Sequence, residues 1–221
     1  MTNHAQFDRP DPASMRRNYE LASLDEASLA ATWHDQLQDW FAQAFRDFGA
    51  VEANAIQLAT VDDAGLPSVR TVLAKGIDER GVSFFTNYES AKARDLDGRQ
   101  YAAIAFVWPA HERQVRLSGP VARVSPAETA EYFATRPRGS QLGAWASPQS
   151  DVVASRADLE ARLAEVAERF GDDAVPVPPY WGGYRLAPES VEFWQGRPDR
   201  LHDRLRFRLA DGQWVVERLA P

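Results

Sequence analysis

Between Leu29 and Phe48 the apolar residues Trp33, Leu37, Trp40, Phe41, Ala44 and Phe45 recur at steps of three and four, which sets them on one stripe of a helix. Such a stripe packs on a core. Ser23 with Glu26 offers a capping pair ahead of it, and Gly49 offers a stop. Beyond Gly49 the period shortens. Runs rich in Val, Leu, Phe and Thr follow at Ala55–Val61, Ser68–Lys75, Val82–Thr86, Tyr101–Trp108 and Arg113–Val124. They are separated by the turn signals Asp62-Asp63-Ala64-Gly65, Gly76 to Gly81, and Trp108-Pro109-Ala110. Connections this short favour antiparallel pairing in a sheet or barrel, because a parallel crossover needs about a dozen residues or more.

Two helical patterns then interrupt the strands. Ser125-Pro126-Ala127-Glu128 is a capping box with proline at the first helical position, and predicts a helix to about Thr135. Ser155 to Phe170 carries Leu159, Leu163, Val166 and Phe170 on one face and is stopped by Gly171. Strand patterns resume at Tyr184–Leu186, Ser190–Trp194, Arg204–Leu209 and Gln213–Leu219, the last two joined through the hairpin-like turn Ala210-Asp211-Gly212. The expectation is one mainly β domain with flanking helices over residues 15–221, in which strands from both sides of the helices close one sheet. Residues 1–14 are polar and carry Pro10 and Pro12, the pattern of a disordered arm.

Composition narrows the function. The chain has 221 residues, 44% hydrophobic and 26% charged, as in a folded globular protein. Acidic residues outnumber basic ones 32 to 25, a net charge of −7, so neither nucleic acid nor an anionic membrane is expected as a partner by bulk charge. Any phosphate site must therefore be local. There is no cysteine, which excludes disulfide scaffolds, thiolate metal sites and cysteine nucleophiles together. The four histidines, His4, His34, His111 and His202, have no ligand-like spacing, so no metal is expected. The absence of an apolar N-terminal leader and of any run of ~18 apolar residues suits a cytoplasmic chain.

Three groups of polar residues stand among apolar ones. In Arg70-Thr71-Val72-Leu73-Ala74-Lys75 a cation stands at each end of a strand. Ideal alternation puts the two on opposite faces. They reach one ligand only if Lys75 lies past the strand end or a bulge intervenes; otherwise they are surface cations. In Tyr132 to Gln141, Tyr132 and Arg136 share one side of a helix, and Pro137 turns the chain so that Ser140 can fold back beside them. That set is either a receptor for a phosphate monoester or a helix end capped by arginine. From Glu192 to Arg204 the residues Arg200, His202 and Arg204 alternate beside Trp194, which in an extended chain presents a cationic row near an indole. A planar anion fits there, and so does a solvated loop paired through Asp199 and Asp203.

Taken together, Arg70–Lys75, Phe84-Phe85-Thr86-Asn87, Glu112-Arg113-Gln114-Val115, Tyr132 through Trp145, Trp181-Gly182-Gly183-Tyr184, the Phe193-Trp194-Gln195-Gly196 to Arg204 run and the terminal Arg218-Leu219-Ala220-Pro221 resemble the pyridoxamine 5′-phosphate oxidase family. The resemblance runs from about Met15 to the last residue. It implies an FMN-binding split β-barrel that forms a homodimer with two flavins at the subunit interface. It implies flavin contacts from Arg70, Thr71, Val72, Leu73, Lys75, Phe85, Thr86, Lys92, Gln114, Gln149, Ser150, Trp194 and Arg204. The phosphate of a pyridine substrate would fall to Lys75, Tyr132, Arg136 and Ser140, with Arg200 and His202 over the ring as the catalytic pair. Arg16 and Tyr19 resemble the family's N-terminal segment that folds over substrate.

The implied reaction is oxidation of pyridoxamine or pyridoxine 5′-phosphate to pyridoxal 5′-phosphate, with hydride leaving C4′ for the flavin and dioxygen giving hydrogen peroxide. The chain departs from the family pattern at Ala91, where an arginine is common, and at Phe85, where tyrosine is common. The first removes a cation from the flavin phosphate; the substrate set is untouched. Three alternatives are a related split-barrel flavin oxidase for another substrate, such as the phenazine-pathway relatives, a non-catalytic carrier of flavin or pyridoxal phosphate, and an interaction barrel without cofactor.

Overall fold

The computed structural model describes residues 11–12, 15, 18–48 and 53–221. Arg16, Gly49 and all of the expected N-terminal arm except residues 11 and 12 lie outside the described residues. The first helix, α1, spans Trp33–Phe48, four residues later than its stripe begins at Leu29. Its start is set by Thr32, whose hydroxyl accepts the Asp35 N–H at 3.2 Å and donates to the Asp35 carboxylate at 2.6 Å. The cap expected from Ser23 and Glu26 does not form, because the Glu26 carboxylate is held bidentately by Arg218 at 3.0 and 2.8 Å. Trp33, Leu37, Trp40 and Ala44 are buried, whereas Phe45, one step off that stripe, is 60% exposed.

Nine strands follow, β1 (Ala55–Val61), β2 (Pro67–Asp78), β3 (Gly81–Asn87), β4 (Tyr101–Trp108), β5 (Arg113–Arg123), β6 (Trp181–Leu186), β7 (Ser190–Gln195), β8 (Asp203–Ala210) and β9 (Gln213–Arg218). All pairings are antiparallel, as the short connections require. The order β4-β1-β2-β3-β6-β5 closes through β5 onto β4 into a six-stranded barrel. β5 performs two tasks. One edge pairs with β4 over Arg113–Pro120; the other pairs first with β7, over Arg113–Ser118, and then with β6, over Val121–Arg123. The meander β7-β8-β9 therefore leaves the barrel wall as a continuous sheet. Its last turn places Asp211 and Gly212 at φ 49° and 76°, the two positive values of a type I′ hairpin.

One apolar cluster fills the barrel and runs beneath the meander, with Phe84, Phe106, Phe193 and Phe207 buried in it. Each such side chain contributes about 1.5–3 kcal/mol by leaving water. Trp40 of α1 meets Phe193 edge to face at 5.3 Å, so the helix lies where barrel and meander join.

Four more helices flank the strands: α2 (Ala91–Gly98), α3 (Pro126–Thr135), α4 (Arg138–Ala146) and α5 (Arg156–Phe170). The capping boxes of α3 and α5 form at Ser125/Glu128 and Ser155/Asp158. α2 and α4 have no counterpart in the sequence pattern. Eight- and nine-residue helices with two glycines in one of them have little intrinsic stability, and packing holds them. No described helix is long and apolar enough to cross a membrane.

Gly81 turns β2 into β3 at φ 138°, and a Cβ there would lie 1.9 Å from the Leu186 carbonyl oxygen. Gly81→Ala should thus cost about 2–4 kcal/mol through backbone strain and loss of β3–β6 pairing, measured by urea unfolding.

Candidate functional site

β2 pairs with β1 along Pro67–Leu73 but with β3 only from Ala74 to Asp78. Before Ala74 the two strands are apart, and no described strand covers the edge of Arg70–Leu73 that turns toward β3. A cavity of about 410 Å³ occupies this split. The register between β2 and β3 passes from Ala74 opposite Phe84 to Gly76 opposite Ser83, so Lys75 is the extra residue of a bulge. That resolves the alternation problem: Arg70 and Lys75 both line the cavity.

The walls come from distant segments. Phe85 and Thr86 belong to β3, Lys92 to α2, Tyr132 and Arg136 to α3 and its end, Gln149 to the loop after α4, and Trp181 to β6. Four cations, Arg70, Lys75, Lys92 and Arg136, line the cavity, and among the described residues no aspartate or glutamate does. Lys92 is buried and bonds only to neutral oxygens: Thr86 Oγ1 at 3.2 Å, Ser90 Oγ at 3.2 Å and Gln149 Oε1 at 3.0 Å. Burial, assisted by the nearby Arg70, brings its ammonium down to about 8. Arg136 lies over the Trp181 ring at 4.6 Å and the Phe133 ring at 5.5 Å, and its buried Nη1 has no hydrogen-bond partner. Burial lowers its pKa as well. Phe85, Tyr132 and Trp181 stack in near-parallel planes, the first two 4.1 Å apart between centroids, and Lys75 Nζ stands 5.9 Å from the Tyr132 ring. An aromatic wall with several cations suits a flat ligand bearing phosphate.

A second pocket, about 710 Å³, opens at the far end of β7 and is lined by Tyr19, Gln114, Trp194, Arg197, Arg200 and His202 among others. His202 and Trp194 lie 4.7 Å apart, and Tyr19 meets both rings edge-on at 5.8 Å. Gly196 permits this approach, since a Cβ there would come within 2.7 Å of Tyr19 Cγ. The Arg197 N–H donates to His202 Nδ1 at 3.1 Å, so the neutral imidazole carries its proton on Nε2. Asp199 and Arg200 both take positive φ, 56° and 63°. The chain is therefore coiled through a short 3-10 turn, Pro198–Arg200, and the extended row expected of Arg200, His202 and Arg204 does not form. Arg204 lies in an adjoining pocket that shares Gln114, Trp194 and His202, with its guanidinium bonded to Glu192 at 2.7 Å and to the Ala220 carbonyl at 2.6 Å.

The expected contacts thus divide. Arg70, Thr71, Val72, Leu73, Lys75, Phe85, Thr86, Lys92, Tyr132, Arg136 and Gln149 meet at the first cavity, and Tyr19, Gln114, Trp194, Arg200, His202 and Arg204 around the second. No described residue lines both. Ser140 is not among the residues that line either cavity. It is exposed in the first turn of α4, its N–H bonded to the Pro137 carbonyl, because the chain resumes a helix directly after the proline. Ser150 is exposed at φ 78° and lines neither pocket. Trp181 and Arg197 carry roles that spacing did not assign, since each depends on a partner remote in sequence.

A closed barrel whose split gathers cations and aromatic rings places this protein in the flavin-binding split-barrel class. The family model described as pyridoxamine 5′-phosphate oxidase matches residues 41–170, and one described as the pyridoxine 5′-phosphate oxidase C-terminal dimerisation region matches residues 181–221. A Saccharopolyspora erythraea protein named pyridoxine/pyridoxamine 5′-phosphate oxidase is 65% identical over 209 residues, covering 94% of each chain. One of the same name from Ectopseudomonas mendocina is 54% identical over 210 residues, 95% of this chain and 98% of that one. The chain belongs to the pyridoxamine 5′-phosphate oxidase family. Among solved structures, PhzG from Burkholderia lata in complex with tetrahydrophenazine-1-carboxylic acid superposes with a TM-score of 0.79 at 31% identity, over 88% of this chain and 98% of that one. A pyridoxamine 5′-phosphate oxidase-related, FMN-binding protein from Nostoc punctiforme, 23% identical with a TM-score of 0.68 over 88% and 100% of the chains, shares the fold. Together these point to an oxidase with a flavin cofactor and a C-terminal region that dimerises.

Lys92 is cationic below its pKa of about 8 and loses its charge above it. A phosphorylated flavin should accordingly bind about tenfold less tightly at pH 9 than at pH 7, and Lys92→Met should flatten that profile in calorimetric titrations.

Proposed function

We propose that this protein is an FMN-dependent oxidase, cytoplasmic and homodimeric, that converts pyridoxamine or pyridoxine 5′-phosphate to pyridoxal 5′-phosphate with dioxygen as acceptor and hydrogen peroxide as product. The observation that carries this reading is the cavity in the barrel split. It concentrates four cations without a carboxylate, and one of them keeps a buried, unpartnered N–H. Leaving such donors unmet costs about 1–3 kcal/mol each, and an anionic ligand removes that cost.

Bound FMN would supply the two-electron acceptor. The protein's part is binding and orientation. Arg70 and Lys92 hold the flavin phosphate, with Thr86 and Gln149 keeping the Lys92 ammonium in place. The uncovered edge of Arg70–Leu73 offers main-chain groups to the flavin ring. Lys75, Tyr132, Arg136 and Ser140 take the phosphate of the vitamer, and Ser150 joins Gln149 on the flavin. Arg200 and His202 order the pyridine ring, His202 as a donor through Nε2. Tyr19 closes over it.

The division of these residues between two pockets supports the homodimer, in which the second pocket of one protomer completes the first of its partner. The outward positions of β4, Tyr101, Ala103, Ala105 and Val107, carry no charge, and Val69 of β2, two strands along across β1, is 67% exposed. A second copy covers such a face well. The resemblance to PhzG favours a second reading, a tricyclic substrate without phosphate. Lys75, Tyr132 and Arg136 argue for the phosphorylated one.

Peroxide release with a panel of phosphorylated and unphosphorylated vitamers tests the proposal, and activity on the unphosphorylated compounds alone would overturn it. Arg136→Ala should raise KM for pyridoxine 5′-phosphate by about tenfold or more, the worth of a charge-assisted hydrogen bond, with kcat less affected. Arg200→Ala should lower kcat by about a hundredfold or more while flavin absorbance per protein stays unchanged.

A further inference from the structure

Arg70 and Lys92 are like charges facing one cavity, and neither has a carboxylate within hydrogen-bond distance. What stands behind them is Asp95, three residues after Lys92 on α2, which does not itself line the cavity. The Thr60 hydroxyl, buried on β1, donates to Asp95 Oδ2 and accepts from Arg70 Nη1. Asp95 Oδ2 also lies 3.6 Å from Arg70 Nη2. The arrangement is directional, since Asp95 can only accept and so fixes the Thr60 proton, which leaves the Thr60 lone pairs to Arg70. β1, β2 and α2 thereby converge on one guanidinium.

We propose that Asp95 is a positioning residue of the anion site: through Thr60 it sets the Arg70 guanidinium, and it supplies the negative charge against which Arg70 and Lys92 share the cavity. This rests on the reading of that cavity as the flavin phosphate site. The charged groups that face Lys92 are Arg70 from β2, which disfavours its ammonium, and Asp95 from its own helix, which favours it. The groups reaching it from β3, from Ser90 and from the loop after α4 are uncharged. Asp95 therefore acts on the cavity in opposite senses. Its charge subtracts from the attraction for an anion at low pH, yet at higher pH it keeps Lys92 protonated.

The test is the affinity of the full-length protein, stripped of flavin, for FMN and for riboflavin between pH 6 and 9.5. Asp95→Asn preserves an acceptor for Thr60 but removes the charge. It should move the fall in FMN affinity about one pH unit lower, equivalent to about a tenfold loss at pH 9, with affinity at pH 6 equal to the parent protein or tighter. Asp95→Glu should restore the parent profile, and Thr60→Val should weaken FMN at every pH without moving the fall. Riboflavin affinity should change in none of them. A profile for Asp95→Asn that coincides with the parent, or lies below it in parallel at all pH values, overturns the inference while leaving the flavin reading intact. A parent protein that binds riboflavin as tightly as FMN overturns both.

Discussion

The barrel does not close evenly, and the chemistry depends on that. A strand that left its neighbour midway would ordinarily expose unpaired main-chain groups, a configuration that folded proteins avoid or cover. Here β2 joins β3 only from Ala74 onward, with a one-residue bulge at Lys75 absorbing the change of register. The gap is lined by cations whose mutual repulsion and desolvation both oppose folding, as the depressed Lys92 ammonium records. A site assembled against its own electrostatics has a compensating ligand. In a chain of net charge −7, a pocket lined by four cations is also a strong local focus for anions.

The second pocket is built by a different principle. The meander β7-β8-β9 extends from the barrel through β5, and its loop carries two consecutive residues at positive φ, Asp199 and Arg200. Such backbone persists only where its surroundings over-determine it. Those surroundings include the N-terminal segment, laid across the meander by main-chain bonds from Leu21 to Glu112 and from Leu24 to Asp203, by Arg197 on the Ala22 carbonyl, and by the Arg218 pair with Glu26. Tyr19 is thus placed against Trp194 and His202 by contacts spread over most of the chain.

Much of the fold was legible in the pattern of residues because its strands alternate and its longer helices carry their own caps. Ala55–Val61 and Tyr101–Trp108 match to the residue, and Ser125 and Ser155 start their helices as their capping boxes require. The bulge was visible as one of two conditions, since Arg70 and Lys75 share a ligand only if a bulge intervenes or Lys75 lies past the strand end. What was not legible has one common cause. α2 and α4 are too short to reveal themselves by propensity, the Glu26 carboxylate was taken by Arg218 nearly two hundred residues away, and Ser140 falls within α4, a helix that only packing sustains.

By itself, then, the order of residues determined the strands, the antiparallel connections, the long helices and the chemical types gathered for an anionic, aromatic ligand. Those properties are local, governed by side-chain alternation, caps and turn conformations within a few positions. The tertiary structure alone decided that β2 and β3 part, that Asp95 stands behind Arg70, and that the expected contacts fall into two pockets with no shared lining. These depend on which distant surfaces meet, and that is settled by burial and pairing across the whole chain.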